Sequence, residues 1–225
     1  MIDLSKSLDY FKPSTLGNTR CHIIGCGSVG GNVAVYLARL GVTKMTLYDF
    51  DKVEPHNLAN QVFRQKDVGE LKTTALLDIL TEINPDIADS VKIENDGWHG
   101  QQLSGFVFMA PDNIDVRRAI VEQNRYNTYI KLLIDFRTEL EGAQMFAADW
   151  SVAKDIDNLL NTMNFTHEEA AESTPVSACG TTLGVGSVPR MISDIGVNNW
   201  LNFVRGKELK KLIILNAFGF MIDAF

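Results

Sequence analysis

The chain is short of cysteine. It has three in 225 residues, Cys21, Cys26 and Cys179, too few and too scattered for a disulfide framework. No C-x-x-C occurs, so a four-thiolate zinc site cannot be built within one chain and no zinc is expected. A reducing cytoplasm is the simplest setting for such a chain. No apolar run approaches the ~18 residues of a membrane span. The opening MIDLSKSLDYFKPS has no apolar stretch of the secretory kind. Positive charge is lacking too: 21 Lys and Arg against 28 Asp and Glu leave a net charge of −7. That is the wrong sign for non-specific attraction to nucleic acid or anionic lipid, so neither nucleic acid nor membrane is an expected partner. There is no internal repeat, no low-complexity tract and no G-x-S-x-G of the serine hydrolases. No pair among the histidines has metal-ligand spacing. Trp98, Trp150 and Trp200 read as packing residues rather than a stacking platform for bases.

What remains is ordinary for a globular protein, with 45% hydrophobic and 22% charged residues. The length fits one domain over 1–225 with a core of its own. Cys21 to Ile24 reads as a buried strand, followed by a glycine-rich turn. Val33, Leu37 and Leu40 then recur at helical spacing until Gly41, and Lys44 to Tyr48 reads as a second strand. A helix over 70–83 stops at Asn84-Pro85. Strands are predicted over 90–94, 106–109, 130–135 and 143–148, with a helix over 114–127. Strands alternating with helices predict a Rossmann-like, doubly wound α/β sheet. Residues 1–17 read as an N-terminal arm. Residues 151–177 are polar and irregular and read as a surface crossover loop containing a short helix. Helical character resumes from Thr181 to Val204, and the tail KKLIILNAFGFMIDAF offers one or two strands.

Gly25, Gly27 and Gly30 form G-x-G-x-x-G, with Gly31 beside them. The first glycine permits a tight turn, the second lets backbone approach a phosphate, and the third lets the helix pack closely. Backbone N–H groups at the helix start then face an anion. Asp49, nineteen positions after Gly30, ends the next strand where an acid suits ribose hydroxyls. To this point a dehydrogenase and an adenylating enzyme are equally served.

The next stretch separates them. It carries Asp49, Asp51, Asn57, Gln61, Arg64 and Lys72 in the order DFDKV, NLANQ, VGELK and INP, with Pro111, Asp112, Asn113 and Arg117 further on. This resembles the ThiF/MoeB/HesA family, relatives of the enzymes that activate ubiquitin-like proteins, whose pattern is D-x-D-x-V, N-L-x-R-Q, V-G-x-x-K, I-N-P and T-D-N-x-x-x-R. The resemblance is good over about 18–150 and loose over 178–225. It implies a mixed sheet with antiparallel last strands. It also implies ATP-dependent adenylation of the C-terminal carboxylate of a ubiquitin-like or sulfur-carrier protein ending in Gly-Gly. By resemblance Asp49 holds the ribose, Asp112 holds Mg²⁺, Asn57 and Lys72 contact phosphates, and Gln61 positions the nucleotide. The Gly25–Gly30 turn passes under adenosine and the α-phosphate, and Asp51 supports that loop. Cys179 falls where the family carries a cysteine that accepts the acyl group or sulfur. A homodimer is implied, since such sites are often completed across an interface.

Two departures bear on activity. Asn60 stands where the family has an arginine, and asparagine offers neither charge nor a bidentate fork to phosphate. If the segment is helical, Arg64 shares a face with position 60 and replaces that cation. Residues 1–17 contain no arginine, only Lys6 and Lys12. An inactive nucleotide- or partner-binding scaffold subunit of a heterodimeric activating enzyme is therefore the alternative. An NAD-dependent oxidoreductase is a further one, resting on the glycine turn and Asp49 alone. A tRNA-modifying relative fits the acidic charge poorly.

Overall fold

Apolar runs only four or five residues long, bounded by glycine and polar turns, form the centre of the molecule. The computed structural model describes residues 2–172 and 184–225. β1 (Cys21–Ile24) enters α1 (Ser28–Arg39), which returns to β2 (Met45–Tyr48). Two short 3-10 turns (Pro55–Ala59 and Gln65–Asp67) lead to α2 (Lys72–Ile83) and β3 (Lys92–Glu94). Then come β4 (Gly105–Met109), α3 (Ile114–Gln123), β5 (Ile130–Thr138) and β6 (Gly142–Asp149). After these come α4 (Ala153–Asn161), α5 (His167–Glu172), α6 (Ser187–Val204), β7 (Leu212–Asn216) and β8 (Met221–Ala224).

The eight strands form one sheet in the order β3-β2-β1-β4-β5-β6-β7-β8. Pairs from β3 to β5 are parallel, and β6, β7 and β8 each add antiparallel. The fold is thus the expected doubly wound mixed sheet. Every residue of β1, β2 and β4 is buried, as a parallel sheet covered on both faces requires. On one face α1, α2 and α6 pack over Ile23, Leu47, Phe106 and Phe108, with Trp200 taking ring contacts from Phe11, Phe106 and Phe108. On the other, α3 and α4 cover Ile24, Val107, Met109 and Leu133.

Three expectations change. Of the stretch 151–177, residues 173–177 lie outside the described residues, and its first part is not merely a polar surface crossover: α4 buries Ile156 and Leu159, and Met163 follows them into the second core. Its apolar residues are few but fall on one face, which is enough to dock a nine-residue helix on β6. Of the helix expected from Thr181, positions 181–183 lie outside the described residues; within those residues α6 begins at Ser187, because Gly184 and Gly186 give poor helix propensity before it. The helix over 114–127 ends early, where the Asn124 side chain returns to Ile120 O and its carbonyl accepts from the Trp150 indole. Among the described residues no helix is long and apolar enough to cross a membrane.

Candidate functional site

β1, β2 and β4 end in register, Ile24 beside both Tyr48 and Met109. Gly25, Asp49 and Ala110 therefore leave the sheet together at its carboxyl edge. The chain turns from β1 toward β2 on one side while β4 flanks the other, so this edge is the switch point where doubly wound sheets open a crevice. Gly25 has φ +86°, and a Cβ there would lie 2.7 Å from Ala110 O. A Cβ on Gly30 would lie 1.8 Å from Gly25 O. Both glycines are demanded by close packing of backbone on backbone. Gly27 has open space, its nearest neighbour being the Gln61 amide at 3.9 Å.

Asp49 braces this turn. Its Oδ2 accepts from Cys26 N at 2.7 Å and its Oδ1 from Asp51 N at 2.9 Å. Burial raises its pKa, opposed by Lys72 and by those two N–H groups. Lys72, buried at the start of α2, donates from Nζ to Asp51 Oδ2 at 2.7 Å. Backbone bonds from Lys72 N to Asp51 O and from Val53 N to Glu70 O tie the two segments. Cys26 and Cys21 are buried, and burial raises both thiols, Cys21 to about 12.

The residues between are organised differently from the helix the sequence allowed. Asn57 is buried and its Oδ1 accepts from Glu54 N at 2.9 Å, capping the 3-10 turn. Asn60 ends that turn and Arg64 is extended, with φ −110° and ψ 162°. Positions 60 and 64 therefore share no helical face, and that premise for Arg64 is corrected. The Arg64 guanidinium instead bonds Asp67 at 2.9 Å, Asp78 at 2.7 Å and Glu82 at 2.5 Å, and these contacts raise its pKa. Asn60 packs beneath α6: a Cβ on Gly186 would lie 3.3 Å from Asn60 Cα. Among the described residues the buried amide oxygens of Asn60 and Gln61 have no hydrogen-bond partner.

Asp112 is exposed just beyond β4. Asn113 after it caps α3, its Oδ1 accepting from Asp115 N at 2.8 Å and Val116 N at 3.3 Å. Arg117, buried on α3, bonds Pro111 O and Asp135. Burial pulls its pKa below the usual arginine value, opposed by Asp135. Asp135 also accepts from Arg137 Nε at 2.8 Å. Sequence reading passed over Asp135 and Arg137. The signal was a lone carboxylate inside the apolar run of β5, where an unpaired charge is not tolerated. Cys179 lies outside the described residues. Among those residues, no group of three or more His, Cys, Asp or Glu side chains is arranged to hold a metal ion.

The sheet order and the glycine turn at its switch point define a Rossmann-like α/β protein. The ThiF family profile matches residues 11–221, and the chain belongs to the ThiF family. Ubiquitin-like modifier-activating enzyme 5 of Arabidopsis thaliana is 45% identical over 65 residues, 29% of this chain and 15% of that protein. Its Rattus norvegicus counterpart is 32% identical over 114 residues, 44% of this chain and 28% of that protein. Molybdopterin-synthase adenylyltransferase of Escherichia coli is 38% identical over 84 residues, 37% of this chain and 34% of that protein. The chain thus spans only a minor part of these relatives' length. Among solved structures, E. coli MccB with ATP has a TM-score of 0.68 at 20% identity, covering 95% of this chain and 65% of that one. PaaA gives 0.68 at 18% identity with the same coverage. At these identities the likeness is one of fold.

Proposed function

We propose that this protein joins ATP to the terminal carboxylate of a small carrier protein of the ubiquitin-like or sulfur-carrier class, one ending in Gly-Gly. A carboxylate oxygen attacks the α-phosphorus, an acyl-adenylate forms, and the bond to the β-phosphate breaks to release pyrophosphate. Two anions must be pressed together, so positioning and charge neutralisation dominate. The observation that carries this reading is the convergence of the Gly25–Gly30 turn, Lys72 and Asp112 on one sheet edge in a ThiF-family chain.

Each residue then has a role. The N–H groups around Gly27 face the α-phosphate, where negative charge builds. Asp49 keeps lone pairs beyond its two backbone bonds and accepts from a ribose hydroxyl. Lys72, oriented by Asp51, turns toward the phosphates. The Gln61 amide oxygen, without a partner among the described residues and beside Gly27, fits a bound nucleotide, with Asn57 holding the loop that carries it. Asp112 fits Mg²⁺, which is commonly held by one or two carboxylates together with substrate phosphates. Bound there, Mg²⁺ would offset charge on the departing pyrophosphate. Cys179 is the candidate for a second step, thioester or persulfide, and a homodimer in the cytoplasm is the expected assembly. ATP–pyrophosphate exchange with Gly-Gly-tailed carriers tests the reading; a folded protein that never exchanges with any of them sinks it.

A second reading has its own support. Asn60 supplies no charge, and the Arg64 guanidinium is occupied by three carboxylates. A site so short of cations suits a scaffold subunit that binds nucleotide beside an active homologue. Under that reading the chain alone binds ATP without exchange, and Asn60→Arg gains exchange.

A further inference from the structure

Asp135 is fully buried in β5 between Ile134 and Phe136, register partner to Met109 at the end of β4. It holds two guanidiniums. Arg117 also reaches Met109 O at 3.5 Å and Pro111 O, the carbonyls on either side of Ala110. Arg137 continues to Thr162 O at 2.8 Å and Thr162 Oγ1 at 2.7 Å, stacked over Phe146 at 4.5 Å. Two charges, Asp135 and Arg117, have been taken out of water here with Arg137 partly exposed beside them, where apolar residues of similar volume would serve stability as well. What the charges fix is geometry: the turn leaving β4 is pinned at Pro111, and the Asn113 cap pins its other side.

We infer that Asp135 is a positioning residue for Asp112, acting through Arg117. Its carboxylate fixes the guanidinium plane, the guanidinium fixes Pro111 O, and the Asp112 side chain is thereby aimed at the crevice. This rests on the reading of Asp112 as the carboxylate toward Mg²⁺.

The test is calorimetric ATP binding across a Mg²⁺ series, with AMP binding in the absence of metal as the companion readout. In Asp135→Asn the Mg²⁺ needed for half-maximal ATP binding rises about tenfold, while metal-free AMP affinity stays within about twofold. Unchanged Mg²⁺ dependence in a folded variant overturns the inference, as do equal losses for ATP and AMP, which mark a purely structural role. Should Asp135→Asn not fold, Arg137→Met removes one partner of Asp135 and keeps the stem on Phe146; a shift of about threefold in the same direction is then expected. Asp112→Ala separates the layers. No shift there brings down both readings, whereas a shift there but not at 135 or 137 overturns this inference alone.

Discussion

Lys72 illustrates how a buried charge is assigned. Taken alone, a lysine bonded to Asp51 is a structural cation, yet its charge also opposes the burial that raises the pKa of Asp49, which braces the glycine turn. Replacing it with methionine keeps the volume and removes the charge. Lys72→Met is expected to weaken ATP binding by about ten- to a hundredfold by calorimetry, the worth of a charge-assisted hydrogen bond. The thermal midpoint should change little, because the Asp51 side chain is half exposed and stays hydrated when its partner is removed. His22 gives the pH dependence. Its Nε2 accepts from Ser104 N at 3.3 Å, so the neutral ring carries its proton on Nδ1, 2.9 Å from the Tyr48 hydroxyl. Burial, with Arg20 and Lys92 nearby, pushes its pKa from 6.5 to about 4. Between those values the unfolded chain binds a proton that the folded chain refuses. Stability is therefore complete above pH 6.5 and falls toward pH 4, by roughly 3 kcal/mol. Urea unfolding over this range should show that slope flattened in His22→Gln; equal slopes in both proteins would contradict the assignment.

At the scale of elements, α6 and α4 carry the informative contacts. Gly196 sits in the middle of α6, where glycine costs about 1 kcal/mol against alanine. A Cβ there would meet Phe136 Cε1 at 2.2 Å, with Met145 Sδ at 3.5 Å behind. Phe136 is 1% exposed and has nowhere to move. Gly196→Ala is thus expected to destabilise by about 1–2 kcal/mol net despite its better helix propensity, overpacking outweighing the gain. Chemical denaturation reads the sign directly. Leu159 on α4 is 3% exposed. Leu159→Ala is expected to cost about 2–5 kcal/mol, whereas a residue of a loose surface crossover would cost almost nothing. Seven apolar side chains spread over 151–165 were legible as letters but not as a face, since a nine-residue helix has too few turns to establish a period. The helices and strands of 20–135 were legible because each is long or bounded by Gly, Pro or a cap.

Across the whole molecule the sheet is lopsided. Its parallel half is enclosed by helices, while β8 at the far edge is exposed along its length, with Phe220, Met221, Ile222 and Phe225 all facing solvent. An apolar edge strand with unpaired backbone groups is a template for pairing. Ile222→Lys is therefore expected to reduce concentration-dependent association in sedimentation velocity. Identical sedimentation of both proteins from micromolar to submillimolar concentration would rule that edge out as the contact. The proposed site lies elsewhere, where β1, β2 and β4 finish together, so this change should leave nucleotide binding as it was.

By itself the sequence determined the alternation of strands and helices, the glycine turn with its acid, and the family motifs from Asp49 to Arg117. These depend on backbone preferences, turn chemistry and spacing that act over a few residues or within one βαβ unit. Only the tertiary structure decided which charges meet. It gave Arg64 to Asp67, Asp78 and Glu82, and it placed Asp135 under Arg117 beside the Asp112 turn. Ion pairing and burial are settled by which elements the strand order brings side by side, and no local pattern encodes a partner that is eighteen residues away on another element.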